Sequence, residues 1–221
     1  MTDTRISTLV TLALDASAGP ATVALFVDRT LHDARRIDRK GSAELLAPVI
    51  SDMLMSAALH ARDITEVIVG AGPGSFTGLR VVAALAKGLA RGAGASMRAV
   101  PSLPLAAAAM DGALPGRYLA VLDALRGEWF TQACTRHADG HWTVDGPAVL
   151  RSVEVAREEA VVTGARLVGP PIDDTQLPDA RAALRIVATP VSRDSWEPDY
   201  GRLAEAQVTW ETAHDRPMPG R

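Results

Sequence analysis

Asp15 and Asp123 each close an apolar run, Leu12–Asp15 and Ala120–Asp123. Two carboxylates at strand ends facing a cleft can hold a magnesium ion with its phosphate. Each can instead cap the turn that follows it through its own side chain, and the sequence favours the caps. The second set of residues capable of chemistry is Gly72-Pro73-Gly74-Ser75-Phe76-Thr77-Gly78-Leu79-Arg80. Glycines let the chain turn sharply, and free amides at the start of a following helix can bind an anion. No Lys follows the third glycine, so this is not a Walker loop. It is one residue too long for a dinucleotide fingerprint and has no acidic residue about 20 positions on. Two readings stay open: close packing of a helix on a sheet, and binding of a phosphate or a partner.

The other reactive side chains point to less. His137 and His141 are four apart, the spacing that aims two imidazoles at one metal on a helix. Ala138-Asp139-Gly140 between them is a turn, so a solvated hairpin tip is favoured. His32, His60 and His214 are isolated, and no metal site is expected. Cys134 lies mid-strand with no base nearby and reads as a packing residue. Ser75 and Thr77 lack a general base, so nucleophilic catalysis has no support.

Strands and helices must position these residues. Thr8–Leu14, Ala21–Val27 and Thr30–Ile37 read as strands joined by turns, and so do Tyr118–Leu122, Trp129–Thr135 and Trp142–Val144. The order strand, Asp, turn, strand, turn, strand thus occurs twice, 108 residues apart, which suggests two lobes of related design. Between them, Ser42 is a plausible cap for a helix to about residue 58, with Pro48 either kinking it or starting its regular part. Glu66–Val69 and Met97–Val100 read as short strands, with a helix from Leu79 to Arg91 between them. Further on, Ser152–Ala160 reads as helix, Val161–Val168 as strand and Ala180–Val187 as a short helical pattern. Alternating strands and crossover helices give an α/β fold with mixed sheets.

Composition sets the outer bounds. The 221 residues are 48% hydrophobic and 22% charged, ordinary globular usage with enough chain for a real core. A net charge of −3 argues against a generally basic nucleic-acid binder, and one cysteine excludes a disulfide framework. No signal peptide or membrane span is expected, and the setting is read as cytoplasmic.

The segment GAGPGSFTGLRVVAALAKGLA resembles the hallmark of the TsaB (YeaZ) family, within the actin/Hsp70-like (ASKHA, ribonuclease H-like) superfamily. Leu12–Ser17 is similar to the family's opening strand and turn. Asp123-Ala124 with Gly127-Glu128 is similar to its second turn, and Pro198, Tyr200 and Arg202 to its C-terminal motif. Two positions depart from the family: Ala16 stands where a Thr is usual, and Gly41 where many members have His. The stretch 169–197 has no counterpart. The resemblance implies a two-lobed actin-like fold, with lobes at 1–108 and 109–221. It implies a non-catalytic subunit of the machinery that makes N6-threonylcarbamoyladenosine at position 37 of tRNA. The catalytic paralogue carries a metal-binding His-x-x-x-His where this chain has Ser102 and Ala106. The implied partners are that paralogue (TsaD family), an ATPase subunit (TsaE family) and tRNA through the complex, with a homodimer when alone. The chain has no cofactor of its own; ATP or ADP would lie at the partner interface.

Leu79, Val82, Ala83, Ala86 and Leu89 form one stripe of the helix after the glycine loop, and other apolar residues cover much of the rest. A helix apolar nearly all round is buried on more than one side. In the family the first two helices form a helical-bundle interface, so Leu46, Met53, Leu79, Val82, Ala83 and Ala86 are expected there. Arg80, Lys87 and Arg91 share a rim, read as solvated in preference to ion-paired or tRNA-facing. Two other functions stand beside this one. A phosphotransferase or ATPase would use Asp15 and Asp123; a metallopeptidase would need the histidine pair the chain lacks.

Overall fold

The computed structural model describes residues 8–38 and 42–201, the side chains of 42–44 excepted. The chain opens with three antiparallel strands, β1 (Val10–Asp15), β2 (Ala21–Val27) and β3 (Thr30–Ile37). Helix α1 (Ser42–Ser56) leads to β4 (Glu66–Gly70), which pairs parallel with β1. Helix α2 (Phe76–Ala93) leads to β5 (Ser96–Val100), parallel to β4. After a buried helix α3 (Ser102–Ala108), the opening plan recurs. β6 (Gly116–Asp123), β7 (Glu128–Arg136) and β8 (Trp142–Val144) are antiparallel, and β9 (Val149–Ser152) also pairs with β7. Helix α4 (Val153–Thr163) then brings β10 (Arg166–Val168) parallel to β6.

So β4-β1-β2-β3 in one sheet matches β10-β6-β7-β8 in the other, with a helix before the parallel strand each time. The inferred duplication of design is visible in this pairing. Period-two alternation builds the layers. Leu12, Leu14, Val67 and Val69 face α1 and α2, whereas Ala13 and Ile68 face α3 on the opposite side of the sheet. In the second sheet, Tyr118, Ala120 and Leu122 join the α3 core, and Leu119 and Val121 pack under α4. Helix α3 lies between the two sheets with every residue buried.

Several expectations change in detail. Val161–Thr163 continues α4 and only Arg166–Val168 is strand, because Gly164 at φ 65° closes the helix in the left-handed region. Pro48 lies inside α1, and Ser42 is its first helical residue; any cap at 41 lies outside the described residues. Among the described residues no helix is long and apolar enough to cross a membrane.

The chain after β10 returns to the first sheet. A 3-10 turn (Ala180–Arg185) ties to it through the Ala180 amide, which donates to Thr22 Oγ1 at 3.0 Å. β11 (Thr189–Pro190) pairs antiparallel with β5 at the sheet edge. Residues 191–200 then run along α2. Arg193 donates to the Ala90 carbonyl at 3.2 Å, Lys87 pairs with Glu197 at 2.8 Å and Arg91 pairs with Asp194. Val191 and Trp196 pack against the core beneath α2, and the Asp199 amide donates to the Ala71 carbonyl at 2.7 Å. Lys87 and Arg91 are therefore ion-paired to this segment and do not form a free solvated rim.

Candidate functional site

The glycine loop joins β4 to α2, and several of its amides are used within the chain. Gly72 N donates to Ser102 Oγ at 2.9 Å, Ser75 N to the Ser17 carbonyl at 2.7 Å and Leu79 N to the Ser75 carbonyl at 2.9 Å. Ser75 is the N-cap of α2, its hydroxyl accepting the Gly78 amide at 3.3 Å. A Cβ on Gly72 would lie 2.0 Å from the Asp199 carbonyl oxygen; on Gly74, 2.3 Å from that of Ser17; on Gly78, 2.1 Å from that of Ala16. Gly72 also sits at φ 90°, a conformation that favours glycine. Backbone approach by the β1–β2 turn and by residue 199 thus accounts for these three glycines. Of the two readings the sequence left open, close packing is what this geometry displays. Pro73 is buried, Thr77 is exposed, and Phe76 and Arg80 face solvent at the start of α2.

Asp15 is 1% exposed. Its Oδ1 accepts the Ser17 amide at 2.9 Å and the Ser17 hydroxyl at 2.7 Å, while Oδ2 has no hydrogen-bond partner. A Cβ on Gly70 would lie 1.9 Å from Asp15 Oδ2 and 2.7 Å from Ser102 Oγ, so these two oxygens crowd the space that glycine leaves. Burial pushes the Asp15 pKa above the usual carboxylate range; the Ser102 hydroxyl and the Ser17 groups act in the opposite direction. Asp123 is exposed, and its Oδ1 accepts the Leu125 amide at 2.8 Å, a turn cap. One carboxylate is sealed in the core and the other is spent on its own turn, so the pair does not fit a magnesium-bound phosphate. A hollow of about 480 Å³ beside Thr22 and α3 offers no better cradle. Its arginines Arg36 and Arg181 are paired with Asp38 and Asp179, and Asp111 and Asp173 also line it.

His137 and His141 stack face to face, centroids 4.0 Å apart and planes 4° apart. Parallel rings cannot aim their lone pairs at one metal. His137 Nε2 bonds with Thr143 Oγ1 at 3.0 Å, and His141 Nδ1 with Asp139, which lowers the Asp139 pKa. Cys134 is fully buried and burial pushes its thiol up to about 12. Among the described residues no three His, Cys, Asp or Glu side chains are grouped to hold a metal.

The expected interface residues are where the structure differs most. Leu46, Met53, Leu79, Val82, Ala83 and Ala86 are all buried within this chain, between α1, α2 and the first sheet. The strongest apolar stripe of α2 meets its own sheet. Glu at Val82 or Ala86 would test folding and not association. The solvent-facing sides of the helices carry a second, weaker apolar set. On α1 these are Leu45, Pro48, half-buried Val49 and Met55; on α2 they are half-buried Val81, Ala84 and Gly88. Its signal in the sequence was the apolar character of α2 almost all round.

The profile of the TsaD family, tRNA N6-adenosine threonylcarbamoyltransferase, matches residues 36–178. The chain is 30% identical to the tRNA threonylcarbamoyladenosine biosynthesis protein TsaB of Escherichia coli over 148 residues. That match covers 66% of this chain but only 64% of the relative's length, just under two thirds. An uncharacterized protein of Mycobacterium tuberculosis is 38% identical over 159 residues, 70% of either chain. In fold, the chain resembles a Pseudomonas aeruginosa crystal structure described as similar to peptidase YEAZ. The TM-score is 0.71 at 22% identity, over 88% of this chain and 100% of the other.

Proposed function

The chain belongs to the TsaB (YeaZ) family, and on that premise we propose that it is the accessory subunit of a tRNA-modifying enzyme. It supports formation of N6-threonylcarbamoyladenosine at position 37 of tRNA without carrying the chemistry itself. The observation that most supports an accessory role is the filled glycine loop. Backbone oxygens of Ala16, Ser17 and Asp199 occupy the space at Gly78, Gly74 and Gly72. Asp15 beside it is sealed from solvent. This region is built to be rigid.

The work of the subunit is then to pair. Its partner is the catalytic threonylcarbamoyltransferase of the TsaD family, with a TsaE-family ATPase joining and tRNA held across the cytoplasmic assembly. ATP or ADP belongs at the subunit interface, and the chain alone forms a homodimer. The pairing face is the exposed side of α1 and α2, where Met55 is 65% exposed and Ala84 and Gly88 let another helix approach closely. Light scattering after size exclusion, on the chain alone and mixed with the catalytic subunit, tests this. A homodimer that exchanges into a one-to-one heterodimer is expected. Met55→Glu with Ala84→Glu should abolish both species with the thermal midpoint unchanged. Undiminished association of that variant would refute the face, and a chain that never associates would refute the accessory role.

A further inference from the structure

The segment that crosses α2 ends on an unusual group. The Tyr200 ring lies 4.7 Å from that of Phe76, and the Arg80 guanidinium sits 4.0 Å over Phe76 and 5.7 Å from Tyr200. Among the described residues no carboxylate pairs with Arg80, which is exposed. Lys87 and Arg91 on the same helix both have acidic partners in 191–200, so the lack at Arg80 is particular to it. Aromatic faces hold the guanidinium in place without neutralising it, which lowers the entropy lost when it meets an anion. Arg with aromatic neighbours is also the composition of interface hot spots. On the solvent face of α1, the exposed apolar positions Leu45, Pro48 and Met55, with half-buried Val49 beside them, are interrupted by the exposed acid Asp52. It has no cationic partner among the described residues.

We infer that residues 191–200 act as a clasp completing a self-pairing face, on which Arg80 of one copy takes Asp52 of a second. This rests on the self-association proposed above and names what determines it. In a two-fold pair the contact is made twice, since each copy supplies both the base and the acid. The ion pairs to Lys87 and Arg91 and the buried Pro198 hold the clasp so that Tyr200 backs the guanidinium. The stretch 169–197, without a family counterpart, thereby gains a role in its last part: it builds the surface of α2.

Sedimentation velocity on the full chain tests this. The wild type is expected to dimerise. Arg80→Glu and Asp52→Arg should each weaken the dimer by at least roughly ten-fold, and the double variant should restore it to within a few-fold. Tyr200→Ala should weaken it while leaving the thermal midpoint in place. Should a charge reversal impair folding, Arg80→Gln and Asp52→Asn serve for the single losses. Wild-type dimers indifferent to these changes, or a double variant no better than the singles, would overturn the inference alone. A wild type monomeric at every concentration would overturn it together with the proposed self-association.

Discussion

Asp15 is a carboxyl group in a place that suits a neutral one. Its Oδ1 is saturated by Ser17 and its Oδ2 faces the Ser102 hydroxyl across the space left by Gly70. A folded-state pKa above the unfolded value near 3.9 means the native state binds a proton more tightly. The stability contributed by this proton is complete below the unfolded value and is lost as pH rises through the folded one. Asp15→Asn keeps an acceptor for Ser17 and supplies a donor toward Ser102 without any charge. Its advantage over the wild type should be smallest near pH 4 and grow as pH rises toward 7. Urea midpoints across that range measure it, and a gap that does not widen with pH would count against a neutral Asp15. The sequence favoured a turn cap over a magnesium ligand at Asp15, and its Oδ1 does accept the Ser17 amide; its burial, a tertiary property, is what the apolar run around it did not reveal.

The elements were legible where an apolar run was bounded by turn residues. β1, β2 and β4 are buried on both faces, against α1 and α2 on one side and α3 on the other. They read as short aliphatic and β-branched runs whose boundaries fall within a residue or two of those observed. Helix α3 was not anticipated because Ser-Leu-Pro-Leu-Ala-Ala-Ala, buried on every side, has no polar face to set a period. Val161–Thr163 read as strand because β-branched residues favour it, yet α4 carries them to its glycine cap. The α2 residues expected at an interface lie inside this chain for a related reason: of two apolar stripes, the larger side chains went inward. Two of its glycines make the point testable. Gly88 faces open space, so Gly88→Ala should stabilise the subunit by about 0.5–1 kcal/mol. Gly78→Ala has the same helical incentive, but its Cβ would press on the Ala16 carbonyl at 2.1 Å and should cost at least about 2 kcal/mol. Denaturation midpoints of equal sign for the two variants would contradict this account of the loop.

At the scale of the molecule, the central layer binds the two sheets together. Tyr118, Cys134 and Trp142 of the second sheet share a core with Ala13, Phe26 and Ile68 of the first, through α3. Cys134 reports on that layer. With no exposed area and a thiol pushed up to about 12, it should resist a thiol reagent at pH 8 in the native protein. It should react at the rate of global opening as urea is added. Rapid labelling under native conditions would mean that the layers part without unfolding. The repeated strand order was legible from the two Asp-terminated runs. The return of residues 180–200 to the first sheet was not, because a two-residue strand and a 3-10 turn carry almost no periodic signal.

That return also bears on how the chain is made. β5 is complete at Val100, but the strand that covers its edge contains Pro190, and Arg98 waits for the Ala188 carbonyl ninety positions downstream. Until then a nascent chain presents an open edge able to recruit any extended segment. Once in place, β11 shields it with a residue that has no amide to offer the next strand. The opposite border, β3, is kept from pairing by its exposed arginines. Protection of the first sheet against aggregation is therefore among the last features to arrive during synthesis, and it is delivered by the same stretch of chain that dresses the outer face of α2.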